Sequence, residues 1–183
     1  SWAPNENFIS LRTNSKWCRS LGRRIGWIEA PEFIIESMED IQSCTILSPD
    51  KLHQMAFGRF ITTSIEDGSL DTYLEKIRKL YKNTAEKTAE IIQKHLDFPI
   101  IQPEGGLYVF MKVNTDGAKF VETVLTKTGV LFIPGQGFGT TGKNAVRVSF
   151  GPLVEEIDKI EEGIIKTAKY LNETKPFLKI NQK

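Results

Sequence analysis

This sequence is poor in the residues from which disulfide frameworks and metal sites are built, with 2 cysteines and 2 histidines in 183 residues. Cys18 and Cys44 are too few for a disulfide framework and lack zinc-site spacing, so we expect free thiols in a reducing, cytoplasmic compartment. His53 and His95 fall on different predicted helices, with no cysteine or acidic residue at ligand spacing. We therefore predict no metal site and ordinary surface or packing positions for both histidines.

Long apolar runs and an excess of one charge are also missing. No apolar run is long enough to span a bilayer as a helix, and the sequence does not begin with the charged and then apolar segments of a signal peptide. We therefore expect no membrane association. Lys and Arg number 24 against 23 Asp and Glu, which disfavours a general nucleic-acid binder. A hydrophobic content of 40% at a formal charge of +1 excludes intrinsic disorder, and the length suffices for a sizeable core.

The pattern that is present alternates short apolar segments with helical spacing. Period-two and short apolar segments predict strands at 8–12, 24–29, 107–113, 130–133 and 145–150. Helical spacing predicts helices after Pro31, after Ser48-Pro49-Asp50, from Asp67-Gly68-Ser69 to about Leu96, at 118–126, and from Val154 to Leu171. This alternation predicts an α/β fold.

A glycine-rich run at 135–144 contains the spacing G-x-G-x-x-G and approaches a P-loop at Gly142 and Lys143. A P-loop requires Ser or Thr after the lysine, where this chain has Asn144. Both motifs also require a helix that begins at the last glycine, and the following residues have strand periodicity. We therefore predict a connection between two strands and no nucleotide site.

One segment, residues 12–26, departs from the overall neutrality because all of its charged residues are basic. These residues are Arg12, Lys16, Arg19, Arg23 and Arg24. Aromatic residues are sparse here and the patch does not continue elsewhere, which favours a site for one small anion, such as a phosphate, over a nucleic-acid contact. Arginine binds phosphate oxygens through paired N–H bonds, and a lysine amine adds to aldehydes. A ligand with both groups is pyridoxal 5′-phosphate.

The same segment resembles the lysine signature of class I/II pyridoxal-phosphate aminotransferases, a fold type I family. In that signature a Ser or Thr precedes the lysine by three residues, and an arginine eight residues after it is followed two later by glycine. Thr13, Lys16, Arg24 and Gly26 occupy these positions. The resemblance continues in order at Ala30-Pro31, Pro103-Glu104-Gly105-Gly106, Tyr108, Phe110, Gly129-Val130, Pro134-Gly135, Phe138-Gly139 and 146–150.

Two details refine this resemblance. The Glu104-Gly105-Gly106 stretch and the helix around 160–164 are similar to the branch that contains 2-aminoadipate and kynurenine aminotransferases. Trp17, Cys18 and Arg19 replace the small or apolar residues more usual after the lysine. We therefore expect an atypical loop over the cofactor phosphate.

The resemblance implies roles for four residues. Lys16 would form a Schiff base with pyridoxal 5′-phosphate and then act as acid and base at the substrate Cα. Arg24 would bind the cofactor phosphate, with the Thr13 hydroxyl beside it. Arg147 would bind the α-carboxylate of the substrate through two parallel hydrogen bonds. Without the resemblance, a surface arginine paired with a glutamate would be the simpler interpretation of Arg147.

The resemblance also implies that the chain is the C-terminal part of the fold. It predicts the end of the large cofactor-binding domain at 1–65, a long linking helix at 66–97, a small α/β domain at 98–175 and a tail at 176–183. The family's acidic partner of the pyridine nitrogen, its ring-stacking aromatic residue and its glycine-rich phosphate loop would lie upstream of Lys16. We therefore expect this chain, which opens in a loop, to require the upstream half of the same protein, in a homodimer, to transfer an amino group between an amino acid and a 2-oxo acid.

Three other functions stay open from the sequence. A lyase or decarboxylase on the same scaffold would use Lys16 and Arg147 equally. A transcription regulator with an aminotransferase-like sensor domain would carry a winged-helix segment upstream. A plain α/β interaction module would leave Lys16 an ordinary surface residue.

Overall fold

The computed structural model of the chain describes residues 8–20 and 22–174. The chain divides into two compact units, Ser1–Lys76 and Ile77–Lys183, and helix α3 (Ser69–Leu96) extends across the boundary. The loop expected before residue 8 and the tail expected at 176–183 lie outside the described residues.

The first unit pairs a two-stranded antiparallel hairpin with helices. Besides the start of α3, this unit contains β1 (Ser10–Thr13), β2 (Gly26–Glu29), α1 (Glu32–Thr45) and α2 (Lys51–Glu66). Pro31 immediately precedes α1, where a residue without an N–H leaves no helical hydrogen bond unmade. Asp50 caps α2, because its carboxylate accepts hydrogen bonds from the backbone N–H groups of Leu52 and His53.

Apolar side chains in the first unit are largely exposed. Helix α1 has no buried residue, and Phe33, on the apolar face that the spacing predicted, is 65% exposed. Among the described residues of this unit, Ile25 is the only buried apolar side chain. A two-stranded hairpin is marginally stable by itself in water. The helices of this unit therefore have the apolar faces that the spacing predicted, but no other described part of the chain buries those faces.

The second unit is built on a four-stranded antiparallel sheet with strand order β3-β4-β6-β5. Its elements after α3 are β3 (Ile100–Ile101), β4 (Tyr108–Lys112), α4 (Gly117–Thr128), β5 (Ile133–Pro134), β6 (Ala145–Ser149) and α5 (Ile157–Thr174). Because side chains alternate along a strand, β4 and β6 each turn one face inward. The inward face consists of Val109, Met111, Val146 and Val148, and the other face includes Tyr108, Phe110 and Arg147.

Residues from α3, α4 and α5 join the inward face of the sheet in one apolar core. Ile92, Phe120 and Leu171 are each at most 2% exposed. Helix α4 is capped at both ends. The Asp116 carboxylate accepts hydrogen bonds from N–H groups of the first turn, and Gly129, at φ 74°, ends the helix in the left-handed conformation. None of the helices in the described ranges is both long and apolar enough to cross a membrane.

The α/β class and the helices predicted from periodicity are confirmed. The strand predicted at 130–133 is present but is shorter and begins later, at Ile133–Pro134. Only Ile133 and Pro134 pair with β6. Between α4 and β5 the chain has no regular secondary structure. The N–H of Val130 donates to the Thr128 hydroxyl, and Phe132 enters the core. Strand β3 was not predicted, because two paired residues are too short to show a period.

Gly117 offers a test of packing in the second unit. Its N–H donates to the Lys143 carbonyl, and a Cβ at this position would collide with the carbonyl oxygen of Ala145. We predict that Gly117→Ala lowers the free energy of unfolding of this unit by about 1–3 kcal/mol, because the backbone must shift to admit the methyl group. Urea titration with amide exchange in β6 measures the change.

Gly137→Ala is the matched control, because no atom lies within 4 Å of the Cβ that it would add. We expect it to alter the free energy of unfolding by no more than about 0.5 kcal/mol. Equal losses in the two variants would contradict the steric explanation.

Candidate functional site

The lysine loop, residues 14–25, connects β1 to β2, and the register of the two strands determines where its ends meet. Thr13 pairs with Gly26 in the last step of the ladder. A Cβ on Gly26 would lie 2.7 Å from the Arg12 carbonyl oxygen, closer than real Cβ contacts, so this pairing requires glycine. The pairing brings Thr13 beside Gly26 and thereby places Arg24 at the same end of the hairpin.

The Thr13 hydroxyl ties the two ends of the loop together. It donates its proton to the Ile25 carbonyl at 2.8 Å. It also accepts from the Ser15 N–H at 3.3 Å and lies 3.0 Å from the Ser15 hydroxyl. Because a hydroxyl has a single proton to donate, Ser15 is the donor in that second contact.

Lys16 and Arg24 both have exposed side chains on this loop. Within the described ranges neither has an ion-pair partner. Arg24 and Arg19 adopt left-handed backbone conformations, at φ 58° and 56°, which cost about 1–2 kcal/mol for a residue with a Cβ. The loop therefore presents an amine and a guanidinium to solvent from a constrained backbone.

The residues that depart from the usual pattern after Lys16 contact neighbouring helices. The Trp17 ring meets Phe57 of α2 edge to face, with centroids 5.8 Å apart. The Tyr73 hydroxyl, near the start of α3, donates to the Cys18 carbonyl at 3.0 Å. Burial raises the pKa of the Cys18 thiol, which donates to the Asn14 carbonyl at 2.9 Å. The two residues that follow Lys16 are thus fixed against α2 and the start of α3.

His53 has more than the ordinary packing role that the sequence predicted. Its Nε2 lies 3.0 Å from the Ser20 hydroxyl and 3.3 Å from the Asn14 side-chain nitrogen. These partners are 33 and 39 residues away along the chain. Only the packing of α2 against the loop brings them together, so no local motif could have shown the contact.

Arg147, in the second unit, lies on the open face of the sheet between two aromatic rings. Its guanidinium carbon is 4.0 Å from the Tyr108 ring centroid and 4.6 Å from that of Phe138. Its Nε is buried without a hydrogen-bond partner, and no carboxylate of the described residues forms an ion pair with it. This environment differs from the glutamate-paired surface arginine that was the simpler expectation.

The glycine run forms a connection between β5 and β6, as predicted. It consists of two short 3-10 turns, Gly135–Phe138 and Thr140–Gly142, and the next element is β6. A Cβ on Gly135 would lie 2.5 Å from the Gly142 carbonyl oxygen, so close backbone approach explains the glycine there. No helix begins at Gly142, and the phosphate-binding geometry of a P-loop is therefore not formed by these residues.

His95, near the end of α3, has a hydrogen-bond partner on α5. Its Nε2 lies 3.1 Å from the Glu161 carboxylate. Hydrogen bonds from His95 and then Lys94 lower the pKa of Glu161. No cluster of three His, Cys, Asp or Glu side chains suited to a metal ion occurs among residues 8–20 and 22–174.

Comparison with known proteins identifies the family. The family model for aminotransferase class I and II matches residues 2–164. The chain belongs to the aminotransferase class I and II family. The lysine loop and Arg147 thus lie within the stretch that this family shares.

Three members of the wider set of relatives show how far the similarity extends. An aromatic-amino-acid aminotransferase of Thermococcus litoralis is 27% identical over 93% of this chain, which covers 42% of that protein. A solved kynurenine aminotransferase of Pyrococcus horikoshii is 30% identical with a TM-score of 0.72, over 94% of this chain and 41% of that one. An uncharacterized HTH-type transcriptional regulator of Bacillus subtilis is 26% identical over 84% of this chain, which covers 31% of the regulator. The chain therefore spans less than half the length of these aminotransferase relatives.

The close approach at Gly26 generates a prediction about the aminotransferase lysine loop. We expect Gly26→Ala in the full-length gene product to open the end of the hairpin, because the new methyl group displaces the Arg12 carbonyl. Overpacking of about 1–3 kcal/mol corresponds to a loss of roughly 5- to 150-fold in amide-exchange protection of β1. Hydrogen exchange followed by mass spectrometry measures this loss.

Gly58→Ala, in the middle of α2, is the matched control, because the added Cβ would have no atom within 4 Å. It should leave exchange in β1 unchanged. Normal protection of β1 in Gly26→Ala would show that the pairing does not depend on glycine.

Proposed function

We propose that this chain is the C-terminal portion of a pyridoxal-phosphate-dependent aminotransferase, which transfers an amino group between an amino acid and a 2-oxo acid. The observation that carries the proposal is the closed lysine loop. The Thr13–Gly26 pairing and the Thr13 hydroxyl bring the ends of the loop together, and the loop exposes Lys16 and Arg24 without an ion-pair partner among the described residues. The family model and the relatives support the same reaction class.

The residues of the loop fit the cofactor. Arg24 supplies a forked set of N–H donors suited to a phosphate. It forms no ion pair with a carboxylate of the described residues, so phosphate binding would not have to break one. The Thr13 hydroxyl, exposed on the same hairpin, would lie beside the phosphate while its proton stays with the Ile25 carbonyl and keeps the loop closed. Lys16 supplies an amine that can bond to an aldehyde. When bound, the cofactor supplies a ring that withdraws electrons from the substrate Cα.

Lys16 performs the proton transfer in this proposal. An exposed amine with no hydrogen-bonded carboxylate could accept the proton from the substrate Cα and deliver it to the C4′ atom of the cofactor. The fixed backbone around Lys16 limits where the amine can reach. Orientation of this kind contributes to rate because the reacting groups need not be ordered during the reaction.

Arg147 binds the α-carboxylate of the substrate in this proposal. The rings of Tyr108 and Phe138 fix the orientation of the guanidinium without neutralising its charge. Its N–H donors are not engaged by any carboxylate of the described residues. The buried, unpartnered Nε also gains an acceptor when a carboxylate binds along the N–H edge. Two parallel N–H bonds orient the substrate as well as hold it.

The exposed apolar faces of the first unit support the need for an upstream half. The chain covers 42% of the length of its aminotransferase relatives, and the remainder of such a protein would cover α1 and α2. Exposed apolar area of this extent marks an interaction surface. We further propose a cytoplasmic homodimer, as the family resemblance implies, with Cys18 and Cys44 as free thiols.

The domain boundaries follow the same proposal. Residues 1–65 end the large domain, 66–97 form the linking helix and 98–175 form the small domain, with a tail at 176–183.

A second candidate is a transcription regulator that senses the cofactor, which the Bacillus subtilis relative favours. Lys16 would bind the same cofactor in such a regulator. A winged-helix segment upstream of this chain would distinguish the regulator from an aminotransferase. A lyase or decarboxylase would release ammonia or carbon dioxide from an amino acid, whereas an aminotransferase forms a 2-oxo acid and passes the amino group on.

Borohydride reduction in the presence of pyridoxal 5′-phosphate tests the proposed function. In the full-length gene product we expect the label on Lys16, by peptide mapping, and amino transfer to an added 2-oxo acid. Lys16→Ala should abolish both, whereas Lys51→Ala, at the exposed start of α2, should leave both intact. A label confined to other lysines would overturn the proposal, and transfer without Lys16 would do the same.

The isolated chain should not perform a half-reaction. We predict that it fails to convert pyridoxal 5′-phosphate to the pyridoxamine form with an amino acid, because it lacks the groups expected upstream of Lys16. Absorbance spectra of the chain and of the full-length gene product, recorded at equal concentration, compare the two. Rapid conversion by the chain alone would contradict the requirement for an upstream half.

Arg147→Lys should weaken substrate binding more than it affects other steps. Hydrogen bonds to a charged group contribute about 1.5–3 kcal/mol, so we expect kcat/KM for the amino acid to fall roughly 10- to 100-fold, mainly through KM. Arg78→Lys, on an exposed turn of α3, is the control. An unchanged KM in Arg147→Lys would exclude Arg147 as the carboxylate-binding group.

A further inference from the structure

We propose that His53 is a positioning residue for Lys16, which it places by tying together the two ends of the segment 14–20. This inference rests on the proposed function of Lys16. The His53 ring does not contact the lysine in any described interaction, and it acts through the residues on either side.

The central observation is that one ring nitrogen contacts both ends of the segment. Nε2 of His53 lies 3.3 Å from the Asn14 side-chain nitrogen and 3.0 Å from the Ser20 hydroxyl oxygen. Both partners can donate a proton, so Nε2 acts as the acceptor in the tautomer that carries the ring proton on Nδ1, and its single lone pair is shared between them. Lys16 lies between these two partners, two residues after one and four before the other.

The contacts are protected from water on the loop side. Asn14 is 0% exposed, although asparagine is rarely buried completely. Its side-chain oxygen has no hydrogen-bond partner, which costs stability. A small apolar residue would avoid that cost, so the polar side chain at this position serves the link to His53.

The His53 ring is itself held by α2. It stacks on Phe57, with centroids 6.2 Å apart and planes 28° from parallel, and Phe57 meets Trp17 edge to face. The ring nitrogen therefore has a defined position relative to the loop. The segment is anchored at Asn14, Trp17 and Ser20, while the Lys16 side chain is left exposed.

A rigid backbone with a free amine is the arrangement that proton transfer requires. Loss of the His53 contacts would let the segment sample other conformations, and the amine would spend less time within reach of the substrate Cα. Misplacement of a reacting group by about 1 Å can cost on the order of 100-fold in rate. The substrate carboxylate is bound elsewhere, at Arg147, and its affinity should not change.

Two substitutions at His53 separate the polar contacts from the packing. His53→Phe keeps the stack on Phe57 and removes the ring nitrogen, whereas His53→Gln keeps a polar group at a similar reach. His95→Phe is the matched control, because His95 contacts Glu161 in the second unit. All three are made in the full-length gene product.

We expect His53→Phe to lower kcat roughly 10- to 100-fold with KM for the amino acid within about twofold of wild type. In the cofactor-free protein, amides of residues 14–20 should exchange faster, and borohydride should trap pyridoxal 5′-phosphate on Lys16 more slowly. His53→Gln should restore all three values to within about fivefold of wild type. His95→Phe should behave as wild type.

The outcomes separate this inference from the proposed function. If wild type is labelled at Lys16 and His53→Phe matches it in labelling, kcat and exchange, the inference alone is overturned. If His53→Phe and His53→Gln lose activity equally, the polar contacts are not responsible and the inference is also overturned. Absence of label at Lys16 in wild type would overturn the proposed function and, with it, the positioning role.

Discussion

The lysine loop depends on a single backbone pairing, between Thr13 and Gly26 at the end of the β1–β2 hairpin. The pairing is possible because the position opposite the Arg12 carbonyl has no Cβ, and the Thr13 hydroxyl reinforces it by bonding to Ile25. Both ends of a twelve-residue connection, 14–25, are thereby held at one place. The family's signature spacing of threonine, lysine, arginine and glycine has a physical meaning here, since each of these residues either closes the loop or is presented by it.

Lys16 and Arg24, the two loop side chains that we propose bind the cofactor, differ from the loop backbone in how they are restrained. Backbone and flanking side chains are tied to α2 and to the start of α3 through His53, Phe57 and Tyr73. Lys16 and Arg24 remain exposed. Arg147, in the second unit, is restrained differently, by two aromatic faces that neither neutralise its charge nor occupy its donors. In both places the protein orders the surroundings of a charged group and leaves its hydrogen-bonding edge available.

The two units also differ in how much of their apolar surface they bury. The second unit closes a core of its own between the sheet and the helices, with Ile92, Val109, Met111 and Phe150 fully buried. The first unit leaves the apolar face of α1 exposed. Because burial of apolar surface is the main favourable term in folding, the first unit depends more on other parts of a protein than the second does. This difference agrees with a chain that spans less than half of its aminotransferase relatives.

The sequence by itself determined the α/β class, the helices and the candidate residues of the lysine loop, because periodicity, caps and short motifs are local properties of the chain. It misplaced the strand at 130–133, because the apolar character of Phe132 reflects burial in the core and only Ile133 of these residues pairs with β6. Only the tertiary structure decided that His53 contacts Asn14 and Ser20, and that Arg147 lies between Tyr108 and Phe138. These contacts join residues far apart along the chain, and packing alone sets which of them meet.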